Sequence, residues 1–144
     1  MNSETIPPRR VLFLCTHNSA RSQMAEGLLR ALGGGAWESH SAGTEQTRVR
    51  PEAIAAMAEL GVDISTHTSK TLHRYLPERF DLVVTVCDSA NQACPVFPNA
   101  AARLHWPVDD PSAVAGSEAE RLAAFRAARD ELKRRIEREI LGDP

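Results

Sequence analysis

Val11-Leu12-Phe13-Leu14-Cys15-Thr16-His17-Asn18-Ser19-Ala20-Arg21-Ser22 is the stretch on which the reading of this chain turns. Its unbroken apolar run fits a strand buried on both faces, as in the middle of a parallel sheet. That strand delivers a cysteine into a short polar loop, and an arginine closes the loop just before an amphipathic stretch. Backbone N–H groups of such a loop, and of the first turn of the helix after it, converge on one point and suit a tetrahedral oxyanion. The same dipoles, with the cation of Arg21, favour thiolate over thiol at Cys15. Arg21 can also grip two anion oxygens with its planar fork. Ser22 is placed to hydrogen-bond the sulfur. Cys15 is thus the predicted nucleophile, inside an oxyanion cradle of Thr16, His17, Asn18, Ser19, Ala20, Arg21 and Ser22.

Outward from this stretch the periodicities alternate. Met24, Ala25, Leu28, Leu29 and Leu32 recur at helical spacing, and Gly33-Gly34-Gly35 ends that helix. Residues 37–42 read as a short second strand. Pro51 suits the first turn of a helix carrying Ile54, Met57 and Ala58, with Gly61 as its C-terminal cap. A short helix is expected over residues 69–76. Leu82-Val83-Val84-Thr85-Val86 is a buried third strand by composition, and residues 103–106 form a fourth. From Ser117 the apolar stripe Leu122, Phe125, Leu132, Ile136 and Ile140 marks a long final helix. Strands alternating with helices imply an α/β fold whose parallel sheet is covered on both faces. Residues 1–9, polar with two prolines, read as a flexible tail, and residues 10–144 as a single domain.

Composition narrows the function. A net charge of −2 over 144 residues argues against a nucleic-acid or anionic-membrane partner. No apolar stretch approaches the ~18 residues of a membrane span, and the N-terminus lacks the apolar core of a signal peptide. A cytoplasmic protein is expected, in which three cysteines are unlikely to be structural disulfides. Cys87 follows the third strand, and Cys94 comes seven residues later across a small, polar segment suited to movement. Two thiols at this spacing can be redox partners, packed side chains or half a zinc site. Zinc needs about four ligands, and no second pair is present. His40, His67, His73 and His105 have no ligand spacing, so no metal is expected. Asp109 and Asp110, before Pro111, are candidates for a proton donor beside the cradle. The proline pushes Asp110 towards extended geometry.

The string CTHNSARSQMAEG, with its Cys-x5-Arg-Ser spacing, resembles the phosphate loop of the low-molecular-weight protein tyrosine phosphatases. It is closer still to the thioredoxin-coupled arsenate reductases built on that fold. The resemblance implies a three-layer fold with four parallel strands in order 2-1-3-4 and the site at their carboxyl ends. It also implies reduction of arsenate to arsenite by a relay: Cys15 attacks arsenic, Cys87 resolves the adduct, and Cys94 resolves the Cys15–Cys87 disulfide. Thioredoxin would then reduce the Cys87–Cys94 bond as an external reductant, with no bound cofactor. Arsenate is the implied substrate, phosphate a competing oxyanion, Asp110 the general acid, and the protein a monomer. Some of these reductases bind potassium behind the loop, with an aspartate where this chain has Lys70. An ammonium there removes a ligand and adds repulsion, so no specific potassium site is expected. Lys70 can instead lay its own cation near Glu26, or point into solvent. The rival reading is a phosphatase of the same fold acting on phosphotyrosine or small phosphoesters. Against it stand a single tyrosine, Tyr75, and the absence of aromatic residues in Ser112-Ala113-Val114-Ala115.

Overall fold

A strand that is apolar on both faces needs cover on both. In a computed structural model, which describes residues 7–87 and 96–142, Val11 to Leu14 lie at the middle of a four-stranded sheet and are wholly buried. β1 (Arg9–Cys15) pairs in parallel with β2 (Trp37–Gly43) on one side and β3 (Phe80–Thr85) on the other. β4 (Ala100–His105) extends the sheet beyond β3. The order is β2-β1-β3-β4, as the resemblance implies.

Alternate residues of β1 feed separate cores. Val11, Phe13 and Cys15 join a cluster made with α1 (Arg21–Gly33), α2 (Pro51–Ala58) and α3 (Glu118–Arg135). Leu12 and Leu14 pack on the other face with Tyr75, Phe80, Val83 and Phe97. There a 3-10 helix over Leu72–Tyr75 supplies the cover. Burying one Leu or Phe side chain stabilises by roughly 1.5–3 kcal/mol, more than a surface ion pair contributes. The sheet interior, not the charged surface, therefore holds the site's platform.

Several elements differ from the sequence reading, each for a local reason. β1 begins at Arg9, one residue inside the expected tail, because Arg9 stands in register with Trp37 and lays its guanidinium 5.0 Å over that ring. Of residues 69–76 only 72–75 are helical, since Thr71 bridges Gly43 and the Lys70 carbonyl accepts the Gly43 N–H at 2.9 Å. β4 starts at Ala100, earlier than expected. Alanine is a poor strand former, and pairing with β3 imposes the conformation on mostly exposed side chains. Gly61 does close α2: at φ +75 its N–H donates to Ala58 at 2.9 Å and that of Val62 to Met57 at 3.1 Å. Ser117 and Glu120 cap α3 reciprocally. The chain continues from α3 into a π-helical turn, Ile136–Ile140, where Glu139 accepts from Trp106 Nε1 at 3.1 Å. That bond ties the final helix to the residue after β4.

Candidate active site

Cys15 is the last residue of β1, and α1 begins at Arg21. The shape of the loop between them follows from where its carbonyls go. The Thr16 carbonyl accepts backbone N–H groups of Thr44 and Glu45 at 2.9 and 3.0 Å. That of His17 accepts the hydroxyls of Thr47 and Ser69 at 2.8 and 3.2 Å. Asn18 is served by Gln23 Nε2 at 3.1 Å and Ser19 by the Arg50 N–H at 2.9 Å. With its carbonyls bonded outward, the loop keeps amides for its concave side, and the Asn18 N–H donates to Cys15 Sγ at 3.2 Å. Asn18 sits at φ 49, left-handed backbone that asparagine tolerates better than most residues. The buried start of α1 has no side-chain cap and no acid in its first turn, so its amides remain available to an anion. The loop rests directly on Gly43: a Cβ there would come within 2.6 Å of the Thr16 carbonyl oxygen. Only glycine fits.

The sulfur has a second neighbour, Ser22 Oγ at 2.9 Å. Asn18 Nδ2 donates to Ser22 Oγ at 2.8 Å and to Ser41 Oγ at 3.0 Å. Its Oδ1 accepts from the Lys70 N–H at 2.8 Å and from Gln23 Nε2 at 2.9 Å. The Asn18 side chain thus reaches β2, α1 and Lys70. Behind it lies Glu26, 8% exposed, which accepts from Ser41 Oγ and Arg30 Nη2, both at 2.5 Å. Lys70 turns towards this carboxylate, its Nζ 3.7 Å from Oε1 and donating to the Thr68 carbonyl at 2.8 Å. Burial pushes the Glu26 carboxyl up, but Lys70, the Ser41 hydroxyl, His67 and Arg30 together hold it below its ordinary value. Burial draws the Lys70 ammonium down, against the pull of Glu26.

Arg21 is 3% exposed, and its Nη1 donates to the carbonyls of Val86 and Val108 at 3.2 and 2.9 Å. Nη2 lies 3.7 Å from Asp110 Oδ2. The guanidinium thus spans the ends of β3 and of the segment after β4. Asp110 divides its oxygens: Oδ1 accepts the Ser112 N–H at 2.9 Å, capping a short 3-10 turn, while Oδ2 faces Arg21. Asp109 is exposed. A cavity of about 470 Å³ opens above, lined by His17, Ser19, Arg48, Arg50 and Asp110 among others. His17 is half-exposed and 3.9 Å from Glu45.

Thr85 pairs with Leu14, the Val86 N–H donates to the Leu14 carbonyl at 2.9 Å, and Cys87 follows. Cys87 is wholly buried in the cluster that also contains Cys15. Cys94 lies outside the described residues. Among the described residues no group of three or more His, Cys, Asp or Glu is arranged for a metal ion, and no helix is long and apolar enough to cross a membrane.

The sheet order and the Cys15–Arg21 loop invite comparison with known proteins. A family model, the low molecular weight phosphotyrosine protein phosphatase, matches residues 10–140. The chain belongs to this family. Its relatives include arsenate reductases. The arsenate reductase of Halalkalibacterium halodurans is 47% identical over 126 residues, 88% of this chain and 91% of the relative. A solved arsenate reductase in the phosphate binding state matches with a TM-score of 0.80 at 34% identity, covering 94% of this chain and 99% of its own. A thioredoxin-dependent arsenate reductase of Corynebacterium glutamicum matches with a TM-score of 0.63 at 29% identity, over 91% of this chain and 63% of that one.

Sequence reasoning did not single out Gln23, Gly43, Thr44, Thr47 or Ser69 as parts of the site. The available signal was the run of small and hydroxyl residues from Ser39 to Thr47. Its meaning depends on β2 lying beside β1.

Proposed function

We propose that this chain reduces arsenate to arsenite and passes the oxidation through Cys15, Cys87 and Cys94 to thioredoxin. The observation that carries the reading is Cys15 Sγ, held by Asn18 and Ser22 inside an uncapped helix N-terminus with Arg21 beside it. The Cys15 thiolate attacks arsenic, and an oxygen leaves as water with a proton supplied by Asp110. Cys87, as thiolate, next attacks Cys15 sulfur. The S–As bond breaks, its electron pair stays on arsenic, and arsenite departs from a Cys15–Cys87 disulfide. Cys94 attacks Cys87, freeing Cys15, and thioredoxin reduces the Cys87–Cys94 bond. Burial of Cys87 means that the chain after β3 must rearrange for these exchanges.

Support for the reductase comes from relatives named for that activity. Support for thioredoxin comes from one neighbour's name and from the cysteine set. In this reading the protein works in the reducing cytosol, as a monomer and without a bound cofactor. The cradle is also that of the phosphatase family, so weak hydrolysis of phosphomonoesters accompanies the main reaction. Arsenate turnover with thioredoxin, thioredoxin reductase and NADPH, set against glutathione with glutaredoxin, tests the proposal. Turnover with the first system alone is expected. Phosphoester hydrolysis without arsenate turnover in either would overturn it in favour of a phosphatase.

A further inference from the structure

The hydrogen bonds behind Cys15 have a direction, and Lys70 touches both ends of the path that sets it. A backbone N–H can only donate, so the bond from Lys70 N to Asn18 Oδ1 fixes which end of that amide is oxygen. Asn18 Nδ2 therefore donates both of its protons, one to Ser22 Oγ and one to Ser41 Oγ. Ser41 in turn donates a hydrogen bond to Glu26 Oε1. Ser22, already accepting from Asn18, keeps its proton for Cys15 Sγ. This arrangement presents a donor to a thiolate.

It also places a buried carboxylate in the same network as an anionic sulfur, and like charges disfavour each other's ionised form in a poorly polarisable interior. Lys70 Nζ lies 3.7 Å from the Glu26 oxygen that Ser41 bonds, on a side chain 11% exposed. Arg30 holds the other carboxylate oxygen from a side chain 52% exposed, where solvent screens it more. We infer that Lys70 is a positioning residue for Cys15: its ammonium offsets Glu26, so the chain from Glu26 to Ser22 orients a donor to the sulfur with no uncompensated anion behind it. The inference rests on Cys15 being the nucleophile. The charged and titratable groups around it are Arg21, Asp110 across Arg21, and His17 at the rim; around Glu26 they are Lys70, Arg30 and His67, with Arg74 acting on Lys70.

The test is alkylation of Cys15 by iodoacetamide in the full chain across pH, read on the Cys15 peptide by mass spectrometry. Lys70→Met should move the pH of half-maximal alkylation upward by roughly half to one unit. Lys70→Arg keeps the charge and should stay near the parent. Removing both charges, in Glu26→Gln with Lys70→Met, should return the midpoint most of the way. A profile unmoved by Lys70→Met, or left displaced in the double variant, overturns the inference, even where melting temperature changes. Should Lys70→Met fail to fold, Lys70→Gln removes the same charge with a polar end and is judged by the same outcomes. The readout needs no arsenate, so failure of the reductase reading and failure of this inference are separate results.

Discussion

β1 and β3 run side by side and lead to cysteines at the same sheet edge, yet the two strand ends are built differently. At the end of β1, polar groups surround Cys15: the Asn18 amide and Ser22 hydroxyl reach the sulfur, and the loop's carbonyls are drawn outward to the segment after β2 and to Ser69. At the end of β3 the anchored residue is Val86, bonded through its N–H to Leu14 and through its carbonyl to Arg21. Cys87 follows, buried in the same cluster as Cys15. A nucleophile must be aimed before substrate arrives, so hydrogen bonds orient it. In the proposed relay Cys87 is needed only after the first bond forms, and it is wholly buried.

The sharpest break in this comparison is Cys15→Ser. A serine hydroxyl is not ionised at neutral pH, so arsenate reduction and phosphoester hydrolysis should both fall by at least ~10³-fold in steady-state assays. Arsenate turnover that survives would remove the distinction between the strand ends. Cys87→Ser should instead stop at the Cys15–arsenic adduct and release no arsenite in a quenched single-turnover experiment. Its phosphoester hydrolysis should stay near the parent. Continued cycling with thioredoxin would show that Cys87 resolves nothing.

Asp110→Asn probes the group that faces Arg21 across the site. It should lower kcat for a phosphomonoester by about 10- to 100-fold, while Asp109→Asn, on an exposed residue, changes little. Equal losses would leave the proton donor unassigned.

A smaller effect is expected far from both strand ends, where Glu59 joins Arg126 and Arg129 between α2 and α3. Hydrogen bonds from Arg126 and then Arg129 hold its carboxyl at about 2, against an ordinary 4.5. A carboxyl lowered on folding favours the native state above its ordinary value and loses that contribution as pH falls from about 4.5 to about 2. Glu59→Gln should therefore melt below the parent at pH 7, with the gap closing in acid and narrowing in salt. Cys15 alkylation should not follow it. The smallest expected effect is none: with Lys70 Nζ beside Glu26, matched potassium and sodium chloride should give the same melting temperature. A rise in potassium alone would place a metal ion behind the cradle.

The order of strands and helices was legible because periodicity is local. Val11 to Leu14 had to be a doubly buried strand, and Pro51 and Gly61 bracketed a helix whose closing turn is formed as expected. β4 was misjudged at its start because Ala100 to Ala102 carry no strand signal; β3 supplies the partner. Within the site, Cys15, Arg21 and Ser22 could be read as neighbours from their spacing across a strand, a loop and a helix. Asp110 could be chosen over Asp109 only by resemblance, since its approach to Arg21 depends on the chain beyond β4 returning to the cradle.

By itself, the sequence determined a strand, a cysteine, a tight polar loop and a helix start, since backbone dihedrals, apolar spacing and helix dipoles act over a few residues. The tertiary structure decided how the cradle is held. Thr44, Thr47, Arg50, Ser69 and Lys70 are far from Cys15 in the chain, yet they bond its loop or the Asn18 side chain. Parallel pairing of β1 with β2 brings that segment alongside, because a buried sheet must satisfy its backbone groups and cover both faces at once.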